Sequence, residues 1–137
     1  MKYLALLVSI AAMTWPAFAQ DSKEYAVCSN AAKTQAEMNS CAGAEAARAD
    51  KELNDAYVQV LAKAASVPEA AAKVKSAERC WIAFRDAYIE ATYPAKDKHT
   101  EYGSMYVLNV GLLRAKLARQ QVAALHELLN HYGKVDQ

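Results

Sequence analysis

The side chains in this chain that could do chemistry are three cysteines (Cys28, Cys41, Cys80), three histidines (His99, His126, His131) and a few carboxylates with polar neighbours, chiefly Glu37, Asp50 and Asp86. Two carboxylates facing each other across a cleft can hydrolyse a glycosidic bond, and Asp50 with Asp86 or Glu37 is the pair on offer. That chemistry needs a cleft. Ala-rich helices with short connections present no obvious one, so the chain reads as a non-enzyme. His126 and His131 do not share a helical face, and His99 stands in a polar connection. Two cysteines at the spacing of Cys28 and Cys41, with no histidine nearby, make a poor zinc site. No HExxH motif, nucleophile elbow or Gly-rich phosphate loop occurs. Neither a metal nor a cofactor is expected.

The first residues set the compartment. Lys2 gives a short positive start, residues 3–13 are apolar apart from Ser9, and Ala17-Phe18-Ala19 is an A-x-A cleavage site. The apolar run is too short to span a membrane. Residues 1–19 therefore read as a signal peptide and residues 20–137 as one mature domain, periplasmic or secreted. No cysteine stands at the cut, so no membrane anchor is expected after cleavage. The chain carries 16 Lys and Arg against 15 Asp and Glu, and loss of Lys2 balances the two. Such neutrality argues against nucleic acid as a partner, because its binders carry a basic excess. ATP- or nicotinamide-dependent chemistry is not expected outside the cytoplasm. Three cysteines in an exported chain mean one bond and a leftover thiol, or a bridge between molecules.

The elements that must position these residues are helices. Gly and Pro are scarce, at 4 and 3 of 137 residues, and Ala is abundant. Residues 21–33 read as a tethered lead-in. Thr34-Gln35-Ala36-Glu37 is a capping box, in which the Thr hydroxyl and the Glu carboxylate each accept from the other residue's amide. It opens a first long helix. Met38, Cys41, Glu45, Ala49, Leu53, Ala56, Val60 and Ala64 recur at spacings of three or four, which makes one mostly apolar face. Gly43 is the weak point at which this helix could break in two. Ser66-Val67-Pro68-Glu69 ends it and caps a second helix, with Pro in the first turn. The seam of that second helix is Val74, Ala77, Trp81, Phe84, Tyr88 and Ala91, and Thr92-Tyr93-Pro94 ends it. Ser104 caps a third helix that reaches Tyr132, with Gly133 as its stop. On it Tyr106, Val110, Leu113, Leu117, Ala124 and Leu128 face inward, while Arg114, Lys116, Arg119, Gln120 and Glu127 face out. The expected fold is all-α, an elongated antiparallel three-helix bundle about 40 Å long.

Cys28 opens the pattern C-x5-TQAEMNSCA, ADKELN follows on the same helix, and WIAFRDA lies on the second. In these residues the chain resembles the LprI-like family of small secreted domains, named for a lysozyme-inhibiting lipoprotein. Its signature falls here on Thr34, Gln35, Glu37, Asn39, Asp50, Asn54, Trp81, Arg85 and Asp86. The resemblance covers nearly the whole mature chain and is strongest over residues 34–57. It implies an exported helical protein with a protein partner in the envelope, a lysozyme being the most specific choice. It also implies a Cys28–Cys41 disulfide, since both cysteines lie in the motif. A loop that short is worth about 3 kcal/mol. Cys80 stands where the family usually has Ala, which implies a buried free thiol. The family's frequent second disulfide corresponds here to Ile89 and Leu113, so packing is expected in its place.

Several of these residues admit a structural and a functional reading side by side. Arg85 borders the second seam and is expected to stack on an aromatic ring and pair with Asp50 or Glu45. It would do so either as a lock between helices or as part of a polar groove for a partner. Asp50 and Asn54 share a face and read as the same lock or the same groove. Tyr88, Tyr93, Tyr102 and Tyr106 gather around the polar connection 94–103, as a satellite core or as a binding patch. That connection, through Lys96, His99, Glu101 and Tyr102, is the candidate partner-binding segment. The whole reads as an exported non-enzymatic binding protein, most specifically lysozyme-inhibitor-like. The alternative is an envelope adaptor or immunity-type module that binds another periplasmic protein.

Overall fold

The computed structural model describes residues 21–135. The signal-peptide reading of residues 1–19 lies outside them. The fold is all-helical, in the order α1 (Lys23–Ala31), α2 (Gln35–Ala64), α3 (Ala70–Thr92), α4 (Lys98–Tyr102) and α5 (Met105–Val135). Three long helices were expected. The lead-in 21–33 and the connection 94–103 each contain a further short one. No described helix is long and apolar enough to cross a membrane.

The start of α2 follows its sequence. Thr34 Oγ1 accepts from the Glu37 amide at 3.2 Å, and Glu37 Oε2 accepts from the Thr34 amide at 3.0 Å. The Lys33 amide adds a bond to the same oxygen at 2.6 Å. These backbone donors, Lys33 first, hold the Glu37 carboxyl below its ordinary range. The helix runs unbroken through Gly43, because Gly there is exposed and costs only about 1 kcal/mol of propensity. At 30 residues α2 is about 45 Å long. Its buried line is Cys41, Ala42, Glu45, Ala46, Ala49, Leu53, Ala56, Val60 and Ala64, which is the expected face widened by Ala42 and Ala46, while Met38 is only half-buried.

That line packs against α5. Ala42 meets Gly111 near the start of both helices, and Val60 and Ala64 share a core with Leu125 near their ends. The two helices therefore run parallel and in direct contact, and α3, which lies between them in the chain, returns antiparallel to both. Small residues on both sides (Ala49 and Ala56 against Ala115 and Ala118, all at 2% exposure or less) let the backbones come close. At Gly111 an added Cβ would lie 3.0 Å from the Ala42 carbonyl oxygen. The deepest line of α5 is therefore Leu108, Gly111, Ala115, Leu117, Ala118 and Leu125. Ala124, expected inside, is exposed. Arg114 and Arg119, expected outside, turn onto carboxylates of α2. The spacing of α5 indicates one buried face, but the helix touches α2, α3 and α4, and the adjacent Leu117 and Ala118 are both buried. It also runs past the expected stop at Gly133, to Val135.

α3 lies differently from its expected seam. Its buried residues are Ala70, Val74, Glu78 and Ile89, while Ala77 and Ala91 are exposed and Phe84 and Tyr88 stand 55% and 46% open. The helix is turned so that Glu78 meets the polar Gln121 of α5, and the large apolar residues fall to one flank. The expected cap also differs. Ser66 Oγ donates to the Lys63 carbonyl and closes α2. α3 then begins at Ala70 after Glu69, whose φ of 62° is left-handed and which makes no side-chain cap. A non-Gly residue held there stores about 1 kcal/mol of strain.

Candidate functional site

Four of the nine signature residues, Asp50, Asn54, Trp81 and Arg85, line one groove. Asp50, Leu53, Asn54 and Tyr57 of α2 face Glu78, Trp81, Ile82 and Arg85 of α3 across a cavity of ≈ 320 Å³, with Lys75 and Arg79 also lining it. The expectation of no obvious cleft is thus corrected. Leu53 and Tyr57 on one wall and Trp81 and Ile82 on the other line the gap between α2 and α3. The carboxylate pairs named from the sequence do not share it. Only Asp50 lines this groove. Asp86 lines a separate hollow with Ile89, Tyr106 and Arg114, and Glu37 caps α2 beside the disulfide.

Arg85 stacks on Trp81, its guanidinium carbon 5.4 Å from the ring centroid. Its carboxylate partner is neither Asp50 nor Glu45. Nε and Nη2 both donate to the neighbouring Asp86 at 2.8 Å. Asp50 is instead reached by Arg114 of α5 at 3.3 Å, so its interhelical role stands with a different partner. Asn54 is exposed. Glu78, which the sequence reading passed over, is buried at 8% exposure and accepts from Gln121 Nε2 at 2.9 Å. Its spacing from Val74 and Arg85 by four and seven could have revealed it, had charge not counted against burial.

A second polar centre lies toward the start of α2. Glu45 is fully buried. It accepts from the Ser22 amide at 2.7 Å and the Ser22 hydroxyl at 2.5 Å, from Arg48 Nη2 at 2.7 Å and from Arg119 Nη1 at 2.6 Å. Burial alone would push its carboxyl up. The bonds from Ser22, Arg119 and Arg48 win and hold it at about 2. With the Cys28–Cys41 disulfide (Cα–Cα 5.7 Å), this centre pins α1 onto α2. Gln35 Nε2 donates to Asn39 Oδ1 at 2.8 Å along the same helix. All four of these early signature residues (Thr34, Gln35, Glu37, Asn39) thus brace the helix start. Cys80 is a free thiol, but it is exposed rather than buried, because the turn of α3 carries it onto the outer flank beside Phe84.

The connection 94–103 is structured. Asp97 caps α4, accepting from the Thr100 amide at 3.1 Å. Lys98 Nζ reaches back to Glu90 at 2.8 Å and to the Tyr93 and Ala95 carbonyls. Tyr93, Tyr102 and Tyr106 pack ring to ring, with Tyr93 5.2 Å from each of the others. Tyr88 is not part of this cluster and pairs with Phe84 at 5.7 Å. Lys96, His99 and Glu101 are exposed, and Tyr102 is half-buried with its hydroxyl accepting from the Ala95 amide.

Among the described residues no group of His, Cys, Asp and Glu could hold a metal ion. No curated protein and no solved structure matches the chain. The family described as "Lysozyme inhibitor LprI" matches over residues 28–125, a span that takes in the disulfide, both walls of the groove and the α3–α5 connection. The chain belongs to the LprI lysozyme inhibitor family.

Proposed function

We propose that this protein is a periplasmic or secreted, non-enzymatic inhibitor of a lysozyme, acting by binding the enzyme. The observation that carries the reading is family membership over residues 28–125. The disulfide fits an oxidising compartment. Cofactor-free binding also fits a fold in which Glu37, Asp50 and Asp86 are each already bonded within the protein.

The contact is proposed at the α3–α5 connection. A glycosidase cleft is concave, so a segment that blocks it should be convex, and this connection forms an end of the helical body. Lys98 and the tyrosine cluster brace it, so presenting Lys96, His99 and Glu101 costs little ordering entropy on binding. The test is inhibition of hen-type and goose-type lysozymes acting on intact peptidoglycan. A Lys96→Ala/His99→Ala/Glu101→Ala variant leaves Lys98 and the tyrosines in place and should retain its helical circular dichroism. Inhibition by the parent and its loss in the variant is the expected result. Equal inhibition would move the contact to another surface, and no inhibition by the parent would end the lysozyme reading. The adaptor or immunity-type reading draws on the exposed Phe84 and Tyr88 flank of α3. A pull-down from envelope extract that loses its partner on Phe84→Ser would favour it.

A further inference from the structure

We infer that the groove between α2 and α3 receives a single basic side chain, arginine or lysine, presented by the partner protein. The inference rests on the binding-protein reading above and names what one part of that surface recognises. Its starting point is a contrast between the two buried charged residues, Glu45 and Glu78. Glu45 is saturated by Ser22, Arg48 and Arg119. Glu78 has one hydrogen-bond partner among the described residues, the neutral amide of Gln121, and forms no ion pair there. A largely buried carboxylate is stabilised by a cation or several donors, and the second oxygen of Glu78 is left to solvent. Glu78 lines an open cavity.

The rest of the cavity suits the missing cation. Asp50, on the opposite wall, has Oδ2 engaged by Arg114 through a long 3.3 Å bond, which leaves Oδ1 for another donor. Trp81 already takes a guanidinium against its ring in Arg85, and Tyr57 adds a second aromatic wall. The lining itself carries three cations, Lys75, Arg79 and Arg85, against Asp50 and Glu78, but none of the three pairs with either carboxylate. Arg85 is held by Asp86, and the exposed Lys75 and Arg79 make no ion pair with Glu78. A cavity of ≈ 320 Å³ lies at the small end of ligand sites and matches one long side chain better than a folded segment.

The test uses the mature protein, whose only tryptophan is Trp81 once residues 1–19 are gone. N-acetyl-arginine amide and N-acetyl-lysine amide are titrated while the Trp81 fluorescence and indole resonance are followed. N-acetyl-citrulline amide, of the same shape without the charge, is the control. A saturable response to the two cations and none to citrulline is expected. Glu78→Gln keeps an acceptor for Gln121 and should retain the fold, while weakening cation binding at least about tenfold. Asp50→Asn should weaken it from the other wall, and it decides the matter if Glu78→Gln fails to fold. No saturable response, an equal response to citrulline, or undiminished binding in both variants would overturn the inference. Cation binding by a protein that does not inhibit lysozyme would remove the lysozyme reading and leave the groove standing. Lysozyme inhibition unchanged by Glu78→Gln would show that the groove is not a contact.

Discussion

At the scale of single residues, Glu45 makes the sharpest prediction. Its folded carboxyl lies at about 2 against an ordinary value of 4.5. The unfolded chain therefore binds the extra proton between those values, and stability rises with pH across that window. The full contribution, about 3 kcal/mol, is present above pH 5 and is lost as the pH falls toward 2. Urea titrations from pH 2 to 6 should show this slope, and Glu45→Gln should flatten it. Arg85 makes a contrary case. Its ion-pair partner Asp86 is 61% exposed, so the pair contributes little. Arg85→Ala should cost about 1 kcal/mol through the lost Trp81 contact. A loss of 3 kcal/mol would mean that the groove wall depends on Arg85 far more than this geometry indicates. Cys80, exposed and unpaired, should be the one cysteine alkylated without reductant, as mass spectrometry can read directly.

At the scale of elements, two glycines on facing helices should respond oppositely to the same substitution. Nothing lies within 4 Å of a Cβ placed at Gly43, whereas one at Gly111 meets the Ala42 backbone at 3.0 Å. Gly43→Ala should stabilise by about 1 kcal/mol through helix propensity. Gly111→Ala gains the same propensity but forces the α2–α5 backbones apart, and should destabilise by about 1–3 kcal/mol on balance. Chemical denaturation of the two variants beside the parent reads both signs. The elements also divide by legibility. The start and most of the buried face of α2 are legible, because Thr34 and Glu37 cap it and its Ala-rich face meets one main neighbour, while Ala42 and Ala46 join that face beside Gly111 of α5. The buried face of α3 is not. Phe84 and Tyr88 look like a seam by spacing, but the surface that α3 packs on offers Gln121, whose amide donates to Glu78 and lets it turn inward. α4 was missed because one turn braced by Lys98 carries no periodicity.

At the scale of the molecule, α1 is held by two fasteners that act on the same segment, the Cys28–Cys41 bond and the Ser22–Glu45 hydrogen bonds. Cys28→Ala/Cys41→Ala should cost about 2–4 kcal/mol. Ser22→Ala should cost less in that background than in the parent, because a released α1 no longer brings Ser22 to Glu45. Strict additivity of the two in thermal or urea unfolding would mean that α1 stays docked by other contacts.

The sequence by itself determined the all-helical class, the capped start of α2 and its buried face, and the family with its disulfide. These depend on local spacing, side-chain capping and motif residues close together in the chain. Only the tertiary structure decided which residues meet across helices. Arg114 rather than Arg85 pairs with Asp50, Arg119 reaches Glu45, and Glu78 is buried beside an open groove. The reason is geometric. A helix repeats every 3.6 residues whatever it packs on. Its rotation and its distance from a neighbour are set by the summed volumes and charges of both surfaces, and one strand of spacing cannot carry that information. The close approach at Gly111 and the open groove lined by Tyr57 and Trp81 are two outcomes of that same rule.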